Sequence, residues 1–368
     1  MKRSFLLLLY MWIALLALPG CGTLDAGRRE VEQLQIMETM GVDHAPGGLR
    51  LTLAPSEGEG PCLSAEGVSL PDALERLREL SVEEDIFCGH VRQLLIGEEA
   101  AQTDLRNVLE VVCRSSDLRL DLPIYVLRGA TAHETMTGAG GEEGGITQAV
   151  QSLRTKLPRD ERSWSAGRIL RDLERSGSAL LPALDFREAA EEDTHTAAPD
   201  GYAVIRDGRL VRFLDRDQAL GVSFLRDQVG ADRLVLQDLG GLPVTLEIDG
   251  GSLQLRPILN DSGALTGLEL NARVRSSLLD APELGEASRE QYADYLTGQL
   301  ETAVSRQISQ VLQLSKQLKT DFLGLGPRLE LAAPETCRGA GRAFGRLLPG
   351  LELSIAVRGE LSHSGDTN

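Results

Sequence analysis

The segment from Ser288 to Thr320 constrains the fold of this chain more than any other. Its large apolar side chains recur with a period near four, which predicts one long amphipathic α-helix. At 1.5 Å per residue, that helix is about 45–50 Å long. So regular a stripe predicts burial along a C-terminal sheet. The stripe consists of Tyr292, Leu296, Leu300, Val304, Ile308, Val311, Leu312 and Leu318.

The residues that follow predict where this helix ends. Asp321 begins a segment with two glycines and a proline, Phe322 to Pro327, which is typical of a helix stop. A carboxylate at a helix C-terminus is disfavoured by the helix dipole. We interpret Asp321 as the acceptor of a structural hydrogen bond in the following loop, with a functional contact as the alternative. We also expect Gly324 and Gly326 to adopt backbone angles that side chains forbid.

The N-terminal half alternates strand and helix patterns, which predicts a mixed sheet with helices packed on it. Ser69 is expected to cap the first helix, because a side-chain oxygen at that position accepts a main-chain hydrogen bond. Leu180 to Leu184 contains Pro182 and is predicted as an edge strand. The other predicted elements are strands at 35–42, 49–53, 91–96 and 122–127, and helices at 69–80, 104–114, 147–157 and 164–176.

A change of composition at residues 186–200 predicts a linker. This segment is acidic, has few large apolar residues and ends in Pro199-Asp200-Gly201. Beyond it, Asp207-Gly208 predicts a tight hairpin turn within 202–214, and Asp249-Gly250-Gly251 predicts another turn. The remaining predicted strands lie at 233–239, 243–249, 252–258, 265–275 and 351–357.

These elements together predict a multi-domain α+β protein. Mixed β-sheets carry helices, and the long helix lies against a C-terminal antiparallel sheet. The predicted divisions are a signal peptide at 1–20, an N-terminal α/β region at 21–185, the linker at 186–200, a C-terminal α+β domain at 201–361 and a tail at 362–368.

The N-terminus predicts secretion and lipid anchoring. Lys2 and Arg3 precede an apolar run from Phe5 to Leu18, and Cys21 follows Pro19-Gly20, a pattern typical of a signal peptide before a lipidated cysteine. The apolar run is shorter than the roughly 20 residues of a membrane span. Acylated Cys21 would tether the body outside the cytoplasmic membrane. The alternative is an ordinary signal peptide with an incidental cysteine.

The charge of the chain excludes some partners. The formal net charge is −17, whereas nucleic-acid binding needs a basic footprint. An acidic body is also unsuited to lying flat on an anionic membrane. Solubility through self-repulsion is the simpler explanation of the charge.

The sequence contains no recognisable catalytic or metal-binding motif, so we predict no catalytic residue, no cofactor and no metal. Cys88 and His90 are a weak metal pair, and buried free thiols are expected rather than disulfides. The Gly-rich segment 137–145 is expected to be a surface loop rather than a phosphate cradle, because it lacks a Lys-Ser/Thr pair. The other residues considered are cysteines Cys62, Cys113 and Cys337, histidines His44, His133, His195 and His363, and surface carboxylates Asp85, Glu98, Glu99 and Asp104.

Several short motifs follow the lipobox in a fixed order along the chain. They are Arg28-Arg29-Glu30-Val31, Met40-Gly41-Val42-Asp43, Ser69 to Leu74, His90 to Ala100, Leu181 to Leu184, Gly201 to Ile205 and Asp321 to Gly326. Taken in this order, these motifs resemble those of the Ger(x)C family. The family's Trp after the lipidated cysteine is missing, and Cys337 and Phe344 stand where the family often has tryptophans.

This resemblance implies a non-enzymatic lipoprotein on the outer leaflet of the spore inner membrane. It implies a receptor built with integral-membrane A and B subunits, which triggers germination in response to nutrients. Tight binding of the germinant to this subunit is not expected. An extracytoplasmic solute-binding lipoprotein is the alternative, although an aromatic content of 4% disfavours it. A lipid-anchored hydrolase is disfavoured because no nucleophile or metal motif is present.

Overall fold

A computed structural model of the chain describes residues 34–55, 60–81, 85–103, 105–138, 150, 164–188, 195–278 and 286–363. Outside the described residues lie Cys21, the signal peptide, Asp104, most of the Gly-rich segment and all but Val150 of the helix predicted at 147–157. No helix in the described part of the chain combines the length and the apolar character needed to cross a membrane.

The larger sheet mixes parallel and antiparallel strands, as predicted. Its strand order is β3-β2-β1-β5-β6-β7-β8-β9, with β4 paired to β1. The three central pairings, from β1 through β5 and β6 to β7, are parallel, and the outer hairpins are antiparallel. These strands are β1 (Leu34–Ala45), β2 (Gly48–Pro55), β3 (Leu63–Gly67), β4 (Asp85–Phe87), β5 (Gln93–Ile96), β6 (Ile124–Leu127), β7 (Ser178–Glu188), β8 (His195–Arg206) and β9 (Arg209–Leu214).

Helices connect these strands and pack on the sheet. The first begins as predicted, because Ser69 Oγ accepts a hydrogen bond from the main-chain nitrogen of Asp72. It buries Leu70, Ala73 and Leu77. The helices of this half are α1 (Leu70–Leu80), α2 (Glu98–Thr103), α3 (Leu105–Arg114), α4 (Ala132–Gly138) and α5 (Ala166–Ser176).

The segment 186–200 differs from the predicted linker. Residues 186–188 end β7 and residues 195–200 begin β8, and Arg187 pairs with Thr196. A strand can extend beyond the apolar core in this way, because main-chain hydrogen bonds rather than apolar side chains hold the ladder. The hairpin at 202–214, assigned above to the C-terminal domain, therefore pairs within the larger sheet. Its turn is confirmed, since Asp207 and Gly208 have φ values of 53° and 80°.

The prediction that Leu180–Leu184 is an edge strand was wrong, because β7 lies between β6 and β8. Proline lacks a donor for the ladder and is normally excluded from an interior strand. The pairing register shifts between Pro182 and Leu184, so an irregularity accommodates the proline.

The smaller sheet has the order β10-β11-β12-β13 and differs from the predicted antiparallel sheet in one pairing. The last strand joins β12 in parallel, because a long helical crossover returns the chain to the same end of the sheet. Asp249-Gly250-Gly251 is a bulge inside one continuous strand, not a turn. The strands are β10 (Asp232–Gln237), β11 (Pro243–Leu259), β12 (Leu265–Leu278) and β13 (Glu352–His363).

The long helix forms and buries the predicted stripe. Leu300, Val304 and Ile308 are fully buried, and Gly359 of β13 packs closely against Leu300. A second helix crosses this one at Gly221, where an added Cβ would lie 2.6 Å from the carbonyl oxygen of Gln307. The helices here are α6 (Arg216–Leu225), α7 (Glu286–Leu318), α8 (Leu325–Ala332) and α9 (Ala340–Leu347), followed by a 3-10 turn (Leu348–Gly350).

Candidate functional site

Two carboxylates are almost completely removed from solvent. Among the described residues, Asp43 and Asp321 are the carboxylates that are buried, with 3% and 1% of their surface exposed. Both belong to motifs that carry the family resemblance. Burying a carboxylate is costly unless it is hydrogen-bonded, so the partners of these two side chains indicate what the motifs do.

Asp43, near the end of β1, caps helix α4. Its Oδ1 and Oδ2 atoms accept hydrogen bonds from the main-chain nitrogens of Ala132 (2.6 Å) and His133 (2.7 Å). The free N–H groups of a first helical turn favour such an anionic acceptor. Burial raises the pKa of Asp43, although both hydrogen bonds and the nearby His133 oppose the rise.

Two glycines leave room for this cap. An added Cβ at Gly97 would lie 2.1 Å from Asp43 Oδ1, and one at Gly41 would lie 2.5 Å from the sulfur of Met136. Neither glycine has the positive φ that side chains avoid. The motif Met40-Gly41-Val42-Asp43 therefore allows strand β1 and helix α4 to approach closely.

Buried polar groups around this cap also find partners. Gln93 Nε2 donates to Thr39 Oγ1 at 2.8 Å. Thr52 Oγ1 lies 3.2 Å from Nδ1 of His133. Gln93, within the His90–Ala100 motif, thus joins β5 to β1 through side chains as well as through the main chain.

Asp321 caps α8 rather than ending α7. Its Oδ1 and Oδ2 atoms accept from the main-chain nitrogens of Leu325 (2.9 Å) and Gly326 (2.8 Å), which is the structural hydrogen bonding that we predicted. Gly324 occupies the N-cap position of α8 and has no side chain to serve as acceptor. Its φ of 70° confirms the predicted need for glycine. The same prediction was wrong for Gly326, which lies in the first turn of α8 and donates its N–H.

The C-terminus of α7 has its own partners. Lys319 has a φ of 50°, and Ser315 Oγ donates to the carbonyl oxygen of Thr320. Arg206 at the end of β8 donates from Nη1 to the carbonyl oxygen of Leu318 at 3.1 Å. A cation at a helix C-terminus is favourable, so the larger sheet holds the end of the long helix.

The surroundings of Asp321 come from both halves of the chain. Helix α9 packs on α5, and an added Cβ at Gly345 would lie 3.1 Å from the main-chain nitrogen of Asp321. Burial raises the pKa of Asp321 to about 6, and the charge of Asp172 on α5 adds to the rise. The hydrogen bonds from the main chain oppose it. Burial lowers the pKa of the nearby Arg328, against the charges of Asp227 and Asp321.

Sequence reasoning missed Arg128, which fastens β6 to the β8–β9 hairpin. Its Nε atom lies 2.9 Å from Asp200 Oδ2, and Nη2 donates to the carbonyl oxygen of Leu214 at 2.9 Å. The guanidinium carbon lies 4.6 Å above the ring centre of Phe213. Pro199-Asp200-Gly201 was the available signal, but it indicated a linker.

The other residues considered above do not gather into one site. Cys62, Cys88, Cys113 and Cys337 are free thiols, of which Cys88 and Cys337 are buried. Burial raises the pKa of Cys88 to about 11, and the ring of His90 contacts the ring of Phe87 with centroids 5.8 Å apart. No group of three or more potential metal ligands occurs in the described ranges.

The predicted surface carboxylates have ordinary structural roles where the structure describes them. Glu98 Oε2 accepts from the main-chain nitrogen of Gly129 at 2.7 Å. Glu99 lies 3.9 Å from Nε2 of His44. Asp85 is exposed on the short strand β4.

The chemical capacity of the two buried carboxylates follows from their contacts. Each oxygen already accepts a main-chain hydrogen bond, and neither side chain faces solvent. They therefore hold strand to helix and helix to helix. General acid–base catalysis instead needs a carboxylate within reach of a substrate proton.

Comparison with known proteins identifies the family. The "Spore germination protein N-terminal domain" family matches residues 27–185, and "Spore germination B3/ GerAC like, C-terminal" matches residues 200–365. A solved structure entitled "Crystal Structure of the GerBC protein" shares the fold, with a TM-score of 0.59 and 18% identity over 88% of this chain and 96% of that one. No curated protein sequence matches the chain. Because the two family matches span both halves, the chain belongs to the Ger(x)C family, the C subunits of spore germinant receptors.

Proposed function

We propose that this chain is a lipid-anchored, non-enzymatic receptor subunit required for nutrient-triggered spore germination. It works with integral-membrane A and B subunits, and Cys21 attaches it to the extracytoplasmic face of the spore inner membrane. The observation that carries the proposal is the match of both halves, 27–185 and 200–365, to spore germination domains.

The geometry of the motifs supports a role in assembly. Both oxygens of each buried carboxylate, Asp43 and Asp321, accept hydrogen bonds from main-chain donors within the protein. Arg206 and the α5–α9 contact hold the two halves together. A body whose buried charges fix its own packing is suited to presenting a defined surface to other subunits.

The lipid anchor is tested by Cys21→Ala, with Cys62→Ala as the matched control at a free thiol elsewhere. The wild-type chain should leave spore membranes in detergent but not in high salt, because acyl chains hold it. Cys21→Ala should be unprocessed or released, and germination should slow or fail. Normal cleavage and unchanged membrane retention of Cys21→Ala would contradict the anchor.

The partnership is tested by affinity isolation of the tagged full chain from detergent-solubilised spore membranes. Immunoblots should detect the A and B subunits with the wild-type chain. An isolate that contains neither subunit, from spores that germinate normally, would contradict a role in the receptor complex.

A further inference from the structure

In the part of the chain that the structure describes, helices pack on one face of the smaller sheet and leave the other face open. Helix α7 packs on the inner face, where Leu268, Leu270 and Val274 of β12 are buried. The alternate residues of β12 point the other way: Glu269 and Asn271 are half-buried, and Arg273 and Arg275 are exposed. We call this opposite side the outer face and define it by Gln254, Arg256, Arg273, Arg275, Ala356 and Arg358.

Two arginines oppose each other at the centre of the outer face. Arg273 of β12 and Arg358 of β13 are direct partners in the register, and both are exposed. Like charges directly opposite on neighbouring strands are destabilising. Within the described ranges, neither guanidinium has a carboxylate oxygen within 4.0 Å. By contrast, Arg50 and Glu66, which are partners in the antiparallel pair of β2 and β3, place opposite charges together at 2.6 Å.

This arrangement is unexpected in an acidic chain. The sequence contains 55 acidic and 38 basic residues, so a carboxylate opposite Arg358 would be the commoner outcome. On either side of this arginine pair, opposite charges face each other across neighbouring strands. Glu360 of β13 lies opposite Arg275 of β12, and Glu269 of β12 lies opposite Arg256 of β11. The outer face therefore has a positive centre with carboxylates towards both ends.

We propose that the outer face is the docking surface for a partner protein that presents an acidic strip to Arg273 and Arg358. This inference rests on the proposed function, in which the partner is an integral-membrane subunit of the receptor. The acidic strip supplies the counter-charge that the two arginines lack among the described residues.

The size of the outer face fits such an interface. Strand β13 has 12 residues, all paired with β12. Three strands of about 40 Å length, spaced about 4.8 Å apart, give a flat area on the order of 600 Å². Side chains at the rim bring this area close to the roughly 800 Å² that each partner contributes to a standard interface.

The charge pattern favours a protein over an anionic membrane. The chain carries a net charge of −17, and Glu360 and Glu269 lie beside the arginines. A uniform layer of anionic headgroups would repel these carboxylates, whereas a folded partner can place acids and bases in register with the pattern.

The test reverses the two central charges in the full-length tagged chain. Arg273→Glu with Arg358→Glu should lower the recovery of the A or B subunit from solubilised spore membranes about tenfold at low salt. Arg273→Gln with Arg358→Gln should give a smaller loss, and recovery with the wild-type chain should fall as salt rises. The matched control is Arg114→Glu with Arg119→Glu, two exposed arginines of the N-terminal half, and it should recover both subunits normally.

The outcomes separate this inference from the proposed function. Equal recovery with the wild-type and charge-reversed chains, at equal thermal stability, overturns the docking surface and leaves the function standing. Failure of the wild-type chain to recover either subunit overturns the function, and this inference with it. Two other results also overturn the docking surface. In the first, the charge-reversed chain recovers the subunits normally and loses only its binding to anionic phospholipid vesicles. In the second, it recovers the subunits normally and loses only the ability to form a dimer of this chain.

Discussion

The Oδ1 atom of Asp321 lies 2.9 Å from the main-chain nitrogen of Leu325, so the residue that follows one helix caps the next. The carboxylate is 1% exposed and lies where α5, α8 and α9 meet. Its burial links the stability of the fold to pH.

The stability of the protein should fall between about pH 4 and pH 6 because of Asp321. Burial raises its pKa from 3.8 to about 6, so the folded state holds the proton more tightly than the unfolded state does. The stabilising contribution is therefore complete below pH 4 and is lost as the pH rises through 6. A shift of about two pKa units corresponds to about 3 kcal/mol.

This pH dependence is measured by urea unfolding of the wild type and Asp321→Asn at several pH values. The stability of the wild type relative to this variant should fall by about 3 kcal/mol from pH 4 to pH 7. Asp207→Asn, at an exposed turn, is the control. A constant difference between the wild type and Asp321→Asn across that range would show that Asp321 is not the titrating group.

Two glycine substitutions should act in opposite directions. Gly324→Ala should lower the free energy of unfolding by about 1–2 kcal/mol, because φ is 70° at Gly324 and a side chain is strained there. Gly298→Ala in α7 should raise it by up to about 1 kcal/mol, since nothing lies within 4 Å of the added Cβ and alanine favours helix. Thermal or urea unfolding measures both, and equal effects would contradict the assigned backbone conformations.

The buried stripe of α7 should contribute strongly to stability. Leu300→Ala should cost about 2–5 kcal/mol, because it leaves a cavity between α7 and β13. Leu331→Ala, at 84% exposure on α8, is the matched control and should change stability by less than about 0.5 kcal/mol. Similar losses from both substitutions would contradict the packing described for the long helix.

Several local features could be predicted from the sequence because each depends on residues a few positions apart. The apolar stripe of α7, the Ser69 cap of α1 and the Asp207-Gly208 turn all belong to this group. The family resemblance likewise rested on short motifs. The position of Asp321 at a helix end marks it as unusual, and its main-chain donors are only four and five residues away.

The tertiary structure alone decided how distant segments pair. Asp43 caps a helix 89 residues later, and Arg273 meets Arg358 only because β13 returns parallel to β12. The same dependence placed 186–188 and 195–200 in paired strands and Pro182 in an interior strand. Periodicity and capping are set by neighbours along the chain, whereas strand partners and register are set by where the crossovers bring the chain back, which local patterns do not encode.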